Sequence, residues 1–157
     1  MNYKQRYSEA HKLYYDINFP NVVKDGFYTP PVIKDVTTTN GLTDYCVNMV
    51  NWLQVGSLKR VNVVTRASDK ITTEASGNKF TDKRYTKSIK KGTADIIGSL
   101  RGKMINIEIK NKYTRDRFIE GSSQDKDMQR ALRAGEMYWI VTCVEDFLFE
   151  LDGFLYG

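Results

Sequence analysis

The sequence has few of the residue types that cross-link a chain, ligate zinc or cross a membrane. Its 157 residues include 2 Cys, 3 Pro and a single histidine, His11. Cys46 and Cys143 lie far apart without CxxC spacing, so neither a disulfide scaffold nor a zinc site is indicated. No apolar run approaches the ~20 residues of a membrane span, and the N-terminus lacks a signal-peptide pattern. We therefore expect a soluble, cytoplasmic protein whose chemistry depends on carboxylates, lysine and metal.

The content of apolar residues is sufficient for one core. Hydrophobic residues make up 41% of the chain and aromatic residues 12%, which excludes disorder. The length suits a single domain of ordinary size. We divide it into an N-terminal helix and arm, residues 1–38, and a main domain, residues 39–157.

The net charge of +5 is unevenly distributed along the chain. Residues 1–58 are neutral, residues 59–103 carry +8, and residues 104–157 carry −3. A basic middle segment is either an ordinary solvated surface or a surface that binds a polyanion. Composition alone does not decide between these interpretations.

Apolar spacing predicts the first helix and strand of the main domain. Leu42, Cys46 and Leu53 fall on one helical face, with Thr39 or Asn40 as the N-cap and Gly56 ending the helix. A strand is predicted next, over Leu58–Arg66. The polar segment 67–91 has no strong period and is interpreted as a long loop or an irregular hairpin.

The segment from residue 93 to residue 110 is the most informative. Ala94–Gly98 and the alternating Met104–Lys110 predict two strands joined by a tight turn at Arg101–Gly102. A helix opening at Ser122 or Ser123 and ending at Gly135, a strand over Met137–Val144 and a last helix over 146–156 complete the chain. The predicted fold is α/β (α+β), with the order αβββαβ and a mixed central sheet.

A turn centred on Arg101–Gly102 places Asp95 opposite Glu108. Directly opposed residues have Cβ atoms ~4.5–5.5 Å apart, where two like charges destabilise a sheet unless something compensates them. Lys110 lies on the same face as Glu108. Mg²⁺ held by carboxylates, with a lysine beside it, is suited to phosphodiester hydrolysis. The alternatives are a chance pattern and a solvent-exposed Glu108–Lys110 ion pair, which contributes little.

The residues around this hairpin resemble a known family. The runs Gly92–Gly98 and Ile107–Lys110, followed by Ser123-Gln124 and by Gly135, resemble the virus-type replication-repair nuclease (VRR-NUC) domain of the PD-(D/E)XK nuclease superfamily. Asn40–Thr43 is similar to phage-encoded members, and the likeness covers residues 39–149.

The resemblance implies the αβββαβ nuclease core and Mg²⁺-dependent DNA cleavage, with Mn²⁺ as a substitute. By this likeness Asp95, Glu108 and the Ile109 backbone carbonyl bind the metal. Lys110 positions the nucleophilic water, and Gln124 contacts the site from its helix. Gln124 shares its helical face with Met128 and Ala131; without the likeness it is more simply an exposed residue of a first helical turn.

One departure from the family concerns its helix glutamate. Members commonly carry a Glu in the first core helix as a further metal ligand, and no Glu occurs here between Glu9 and Glu74. Asp44 is the acidic candidate, with Asn40 and Asn48 as weaker ones. The alternative role of Asp44 is to place a favourable negative charge in the first turn of this helix.

The expected partner is DNA, bound through backbone phosphates. The candidate contacts precede the Asp95 strand or lie on the first strand: Lys83, Arg84, Lys87, Lys90, Lys91, Arg60 and Arg66. The resemblance implies selectivity for branched DNA such as a Holliday junction, a bacterial host cytoplasm if the protein is phage-encoded, and in many members a homodimer. The rival functions are a catalytically decayed nucleic-acid-binding protein on the same fold and an interaction domain with a coincidental motif.

Overall fold

A computed structural model describes residues 2–61, 69–73, 79–83 and 93–157, and for 69–73 and 79–83 it describes the backbone alone. The helices are α1 (Tyr3–Asn18), α2 (Pro20–Lys24), α3 (Thr39–Leu53), α4 (Ser123–Arg133) and α5 (Val144–Tyr156). The strands are β1 (Gly56–Arg60), β2 (Asp69–Thr73), β3 (Lys79–Lys83), β4 (Ile96–Leu100), β5 (Lys103–Ile109) and β6 (Met137–Val141). No helix in these ranges is both long and apolar enough to span a bilayer.

A mixed sheet of four strands organises the described chain. Its order is β1-β4-β5-β6, in which β1 and β5 run antiparallel to β4 and β6 runs parallel to β5. A parallel neighbour requires a crossover, and α4 provides it. Strands β2 and β3, which lie between β1 and β4 in the sequence, form a separate antiparallel pair, in agreement with the hairpin interpretation of that polar segment. The α+β class and the order α3-β1-β4-β5-α4-β6 agree with the prediction.

The β4–β5 turn fixes the strand register. Arg101 and Gly102 have φ values of 44° and 81°, and two positive φ angles in a two-residue turn match the right-handed twist of a hairpin. The turn pairs Leu100 with Lys103 and, at the far end, Ile96 with Ile107. This is the predicted register. Continued by one residue beyond the paired strands, the same register would place Asp95 opposite Glu108.

The two faces of β5 have different environments. Ile105, Ile107 and Ile109 are fully buried and belong to the main core, together with apolar residues of α3 and α5. The alternate residues Asn106, Glu108 and Lys110 are polar, yet they are buried as well. Because isolated polar groups are costly to bury, this second face needs compensating partners.

The N-terminal helix packs on the core. Tyr7 of α1 stacks on Tyr45 of α3 with ring centroids 4.8 Å apart, and both rings are buried. Arg6 donates to both carboxylate oxygens of Asp152 on α5, at 2.5 and 2.7 Å. Helix α1 is therefore attached to α3 by apolar contact and to α5 by an ion pair.

Several predicted boundaries of α3 and β1 were wrong. Thr38 is the N-cap of α3, where its hydroxyl accepts from the Gly41 amide at 3.0 Å, and Gln54 with φ 56° ends the helix. Gly56 begins β1 instead of ending the helix. A residue without a side chain fits there because a Cβ would overlap the Ser99 carbonyl oxygen of the neighbouring strand. In the described chain β1 ends at Arg60, and residues 62–66 of the predicted strand lie outside the described residues.

The second half of the chain follows the prediction more closely. Ser122 caps α4 by accepting from the Asp125 amide at 3.2 Å, and Gly135 with φ 77° follows the helix. Strand β6 ends at Val141, earlier than predicted, because the Asp146 carboxylate accepts from the Thr142 amide at 3.2 Å and α5 begins at Val144.

The close approach of β1 and β4 predicts the effect of a substitution at Gly98. A Cβ at Gly98 would overlap the Ser57 carbonyl oxygen, whereas a Cβ at Gly153 of α5 meets nothing within 4 Å. We expect Gly98→Ala to lower the free energy of unfolding by about 2 kcal/mol. Gly153→Ala should raise it by up to about 1 kcal/mol, because alanine favours a helix. Urea unfolding measures both; equal effects would contradict the assigned strand contact.

Candidate active site

Glu108 is the most buried carboxylate of the polar face of β5. Its side chain is 1% exposed and lies opposite Ile140 of β6. Oε1 accepts a short hydrogen bond from Gln124 Nε2 and lies 3.1 Å from Lys110 Nζ. Oε2 is buried and has no hydrogen-bond partner among the described residues. One carboxylate oxygen therefore has two contacts, and the other has none within the described residues.

Burial and a neighbouring charge both act on Glu108. Loss of hydration raises the pKa of Glu108, and the Asp95 carboxylate raises it further. Lys110 opposes this by hydrogen bonding and charge, and the resulting pKa is about 7 instead of 4.5. The described residues stabilise the ionised form of a carboxyl with this pKa poorly, so a nearby cation would lower the pKa of Glu108 strongly.

Asp95 lies in the bend just before β4, as the register requires. Its Oδ2 accepts from the Ile109 amide at 2.9 Å, and its own carbonyl oxygen accepts from the Val61 amide at 2.8 Å. The first bond directs the carboxylate across to β5, at the residue after Glu108. The structure thus brings Asp95 and Glu108 to one corner of the sheet, beside the backbone of Ile109.

Lys110 is held between two carboxylates. It is 5% exposed, and its Nζ contacts Asp116 Oδ1 and Oδ2 at 3.1 and 3.0 Å as well as Glu108. Desolvation lowers the pKa of Lys110, but hydrogen bonds to Asp116 and Glu108 outweigh it, so the pKa is raised. The amine therefore stays positively charged at neutral pH. The alternative of a solvent-exposed Glu108–Lys110 pair is wrong, because both side chains are buried.

Gln124 reaches the site from the first turn of α4. Its amide group donates to Glu108, and buried Ala131 lies on the same helical face. The sequence predicted that this face points toward the sheet, and the geometry agrees; the alternative of an exposed first-turn residue is excluded. Ser122, as the N-cap, fixes where α4 begins and hence which face Gln124 occupies.

The sequence pattern does not indicate two further residues near the site, Asp116 and Tyr138. Asp116 lies in the irregular segment between β5 and α4, where no periodic signal exists. Tyr138 was part of a continuous apolar run, but its hydroxyl is buried and has no partner in the described ranges. Burial raises the pKa of Tyr138, and so do the charges of Glu108 and Asp127. The Tyr138 hydroxyl and Glu108 Oε2, neither of which has a partner in the described part of the chain, thus belong to neighbouring strands.

The candidates on α3 have other contacts. Asp44 forms a short ion pair with Lys34, and Arg60 Nη1 lies 4.0 Å from it. Asn40 accepts a short hydrogen bond from Arg60, while Asn48 donates to the Tyr7 hydroxyl at 2.8 Å. Within the described ranges no group of three or more His, Cys, Asp or Glu is arranged to hold a metal ion.

Arg60 is the one predicted DNA contact whose side chain the structure describes. It is exposed and paired with Ile96, the residue after Asp95, so it lies at the site's edge of the sheet. Arg66, Arg84, Lys87, Lys90 and Lys91 lie outside the described residues, and only the backbone of Lys83 is described, in β3. Three further exposed basic residues follow Lys110 in the segment before α4: Lys112, Arg115 and Arg117.

Comparisons with known proteins identify no relative. No family model matches the sequence, no curated protein matches it, and no solved structure matches the fold. The likeness to the VRR-NUC domain therefore rests on the motif residues alone.

The raised pKa of Glu108 predicts a pH dependence of stability. Because the folded protein binds this proton more tightly than the unfolded chain, protonated Glu108 favours folding below about pH 4.5, and this contribution is lost as the pH rises through about 7. In metal-free buffer the wild type should lose up to about 3 kcal/mol relative to Glu108→Gln across that interval.

Urea unfolding at closely spaced pH values measures this difference. Glu150→Gln, at an exposed position on α5, is the matched control for removing one carboxylate. A wild-type minus Glu108→Gln difference that is constant from pH 4 to pH 8 would show that Glu108 is not held in a poorly hydrated site.

Proposed function

We propose that this protein is a divalent-metal-dependent DNA endonuclease of the PD-(D/E)XK type that acts on branched DNA. The observation that carries the proposal is the corner formed by Asp95 and Glu108. There two carboxylates meet beside Lys110 and Gln124, and a buried Glu108 oxygen has no partner in the described chain. The nuclease motif, read from the sequence, supplies the reaction class.

The chemistry of the corner suits Mg²⁺ or Mn²⁺. Both ions take oxygen ligands, and the residues that would hold them are Asp95, Glu108 and the Ile109 carbonyl. A bound cation would supply charge neutralisation and an activated water for phosphodiester hydrolysis. It would also compensate the two carboxylates, whose mutual repulsion raises the pKa of Glu108.

The protein's own groups have separate roles in this proposal. Lys110 carries a positive charge beside Glu108, where it stabilises negative charge on phosphate oxygens and orients the attacking water. Gln124 donates to Glu108 Oε1 and so keeps Oε2 directed away from the helix contact. In the net reaction water adds hydroxyl to phosphorus, the P–O3′ bond breaks and the 3′ oxygen takes the remaining proton. The products are 5′-phosphate and 3′-hydroxyl ends.

DNA is the favoured polymer because exposed basic residues lie near the corner residues along the sheet or along the chain. Arg60 pairs with Ile96, the residue after Asp95, and Lys112, Arg115 and Arg117 follow Lys110 in sequence. Such residues neutralise phosphates without reading bases. The preference for branched DNA, a role in phage replication, recombination or repair, and a homodimeric state come from the family likeness.

A catalytically decayed DNA-binding protein is the second candidate. It is favoured by the contacts of Asp44, whose charge is shared with Lys34 and Arg60, and by the absence of a three-residue acidic group in the described ranges. In this candidate the basic residues still bind DNA phosphates, and Asp95 and Glu108 no longer bind a metal ion.

Cleavage assays test the enzyme proposal. Purified protein with Mg²⁺ or Mn²⁺ should cut at least one of a duplex, a flap, a fork and a four-way junction, and EDTA should stop it. Glu108→Gln should lower the rate by at least about 100-fold, because it removes a charged ligand while keeping the side-chain shape.

Glu150→Gln is the control for this assay because Glu150 is exposed on α5, which packs on the other face of the sheet. Its rate should stay within twofold of the wild type. Undiminished cleavage by Glu108→Gln would refute the assignment of the corner.

Calorimetric titration with Mn²⁺ distinguishes the two candidates. The enzyme proposal predicts saturable Mn²⁺ uptake that Asp95→Asn weakens by at least about tenfold, since a neutral amide is a poorer ligand. A decayed site predicts no uptake that depends on Asp95. Glu150→Gln again provides the control for loss of one negative charge.

A further inference from the structure

Asp116 covers the amine of Lys110 from the solvent side. The Lys110 side chain is 6% exposed, whereas the Asp116 side chain is 56% exposed. Both Asp116 oxygens lie within hydrogen-bond distance of Nζ, at 3.0 and 3.1 Å. Glu108 contacts the same nitrogen at 3.1 Å from inside the protein. The ammonium group thus has one buried carboxylate partner and one exposed carboxylate partner.

The geometry of the outer pair resembles the way an amine binds a phosphodiester. A carboxylate offers two oxygens that share one negative charge, as do the two non-bridging oxygens of a backbone phosphate. An ammonium group has three N–H donors, and oxygens of Glu108 and Asp116 already make three contacts with Nζ. A phosphate can therefore bind Lys110 directly only where Asp116 withdraws.

The backbone around Asp116 is held in place while its side chain is exposed. The Asp116 amide donates to Thr114 Oγ1 at 3.3 Å, and Arg117 Nη1 donates to the Asp116 carbonyl at 2.8 Å. Asn111, fully buried, anchors the start of the segment by donating to the Val36 carbonyl at 3.3 Å. Rotation of the exposed Asp116 side chain would release Lys110 without breaking these backbone contacts.

We infer that Asp116 occupies the phosphate subsite of Lys110 in the free protein and that a DNA backbone phosphate displaces it. The contact is autoinhibitory: a binding phosphate must exchange with an internal anion. This inference rests on the proposed function, whose substrate it places at Lys110. The phosphate would bind the side of the amine that Asp116 now covers, and Glu108 would keep the inner side.

The decisive experiment compares two variants that lose the same charge. Asp116→Asn removes the anion at Lys110, and Glu120→Gln removes an exposed anion from the same segment. Binding of a fluorescein-labelled DNA duplex is measured by fluorescence anisotropy in EDTA, so that no cleavage occurs. We expect Asp116→Asn to lower Kd by about fivefold and Glu120→Gln by less than twofold.

A double variant tests whether the gain passes through Lys110. In a Lys110→Met background, Asp116→Asn should no longer tighten binding beyond the Glu120→Gln control. Asp116→Ala should reproduce the gain of Asp116→Asn, and melting curves check that each variant is folded. Equal tightening by Asp116→Asn and Glu120→Gln would overturn the inference, as would weaker binding or a gain that persists without Lys110.

Cleavage measured on the same proteins separates this inference from the proposed function. If the wild type cleaves DNA but Asp116→Asn and Glu120→Gln bind DNA with equal Kd, only the subsite inference fails. If no protein cleaves with Mg²⁺ and Asp116→Asn still binds more tightly, the enzyme proposal fails alone. A slower Asp116→Asn with unchanged Kd would make Asp116 a residue that positions Lys110, contrary to the inference.

Discussion

The burial of the Glu108 carboxylate is the constraint on which the rest of the site depends. A carboxylate that loses its water must find donors or a cation, or else take up a proton. Here Gln124 and Lys110 both contact one oxygen, and the other has no partner among the described residues. The partial compensation explains why the pKa of Glu108 rises to about 7. It also makes this carboxylate the strongest candidate in the described chain for binding a further ligand.

Each element around Glu108 contributes to this state through ordinary folding rules. The β4–β5 turn sets the register that brings Asp95 to the adjacent position, and the α4 crossover places Gln124 above β5. The isoleucines on the opposite face of β5 fix the strand in the core. A strand held on one side by apolar contacts can hold charged groups in fixed positions on the other. Such fixed positions are what preorganised catalysis requires.

The sequence predicts the parts of this arrangement that follow local rules. The register of Asp95 and Glu108 follows from the positive φ angles of the Arg101–Gly102 turn, and the direction of Gln124 follows from helical spacing after a serine cap. Gly56 was wrongly predicted to end α3. The close approach of strand β4 explains the glycine at this position, and no local sequence pattern reveals a contact with a distant strand.

The parts that depend on irregular or distant chain could not be predicted. Asp116 contacts Lys110 from a segment that has no periodic pattern of apolar residues. Tyr138 belongs to an apolar run that indicates a buried strand, so the sequence does not mark its hydroxyl as part of the site. The site roles, the metal and most of the proposed DNA contacts stay predictions. Cation binding involves a partner outside the chain, and the basic residues from 84 to 91 lie outside the described ranges.

Anomalous scattering from Mn²⁺ in crystals of the wild-type protein tests the proposed metal site most directly. We expect a peak within ligand distance of both the Asp95 and the Glu108 carboxylates, and its loss in Glu108→Gln crystals treated identically. Crystals that show no peak at this corner under saturating Mn²⁺, or a peak only at Asp44, would contradict the proposed site.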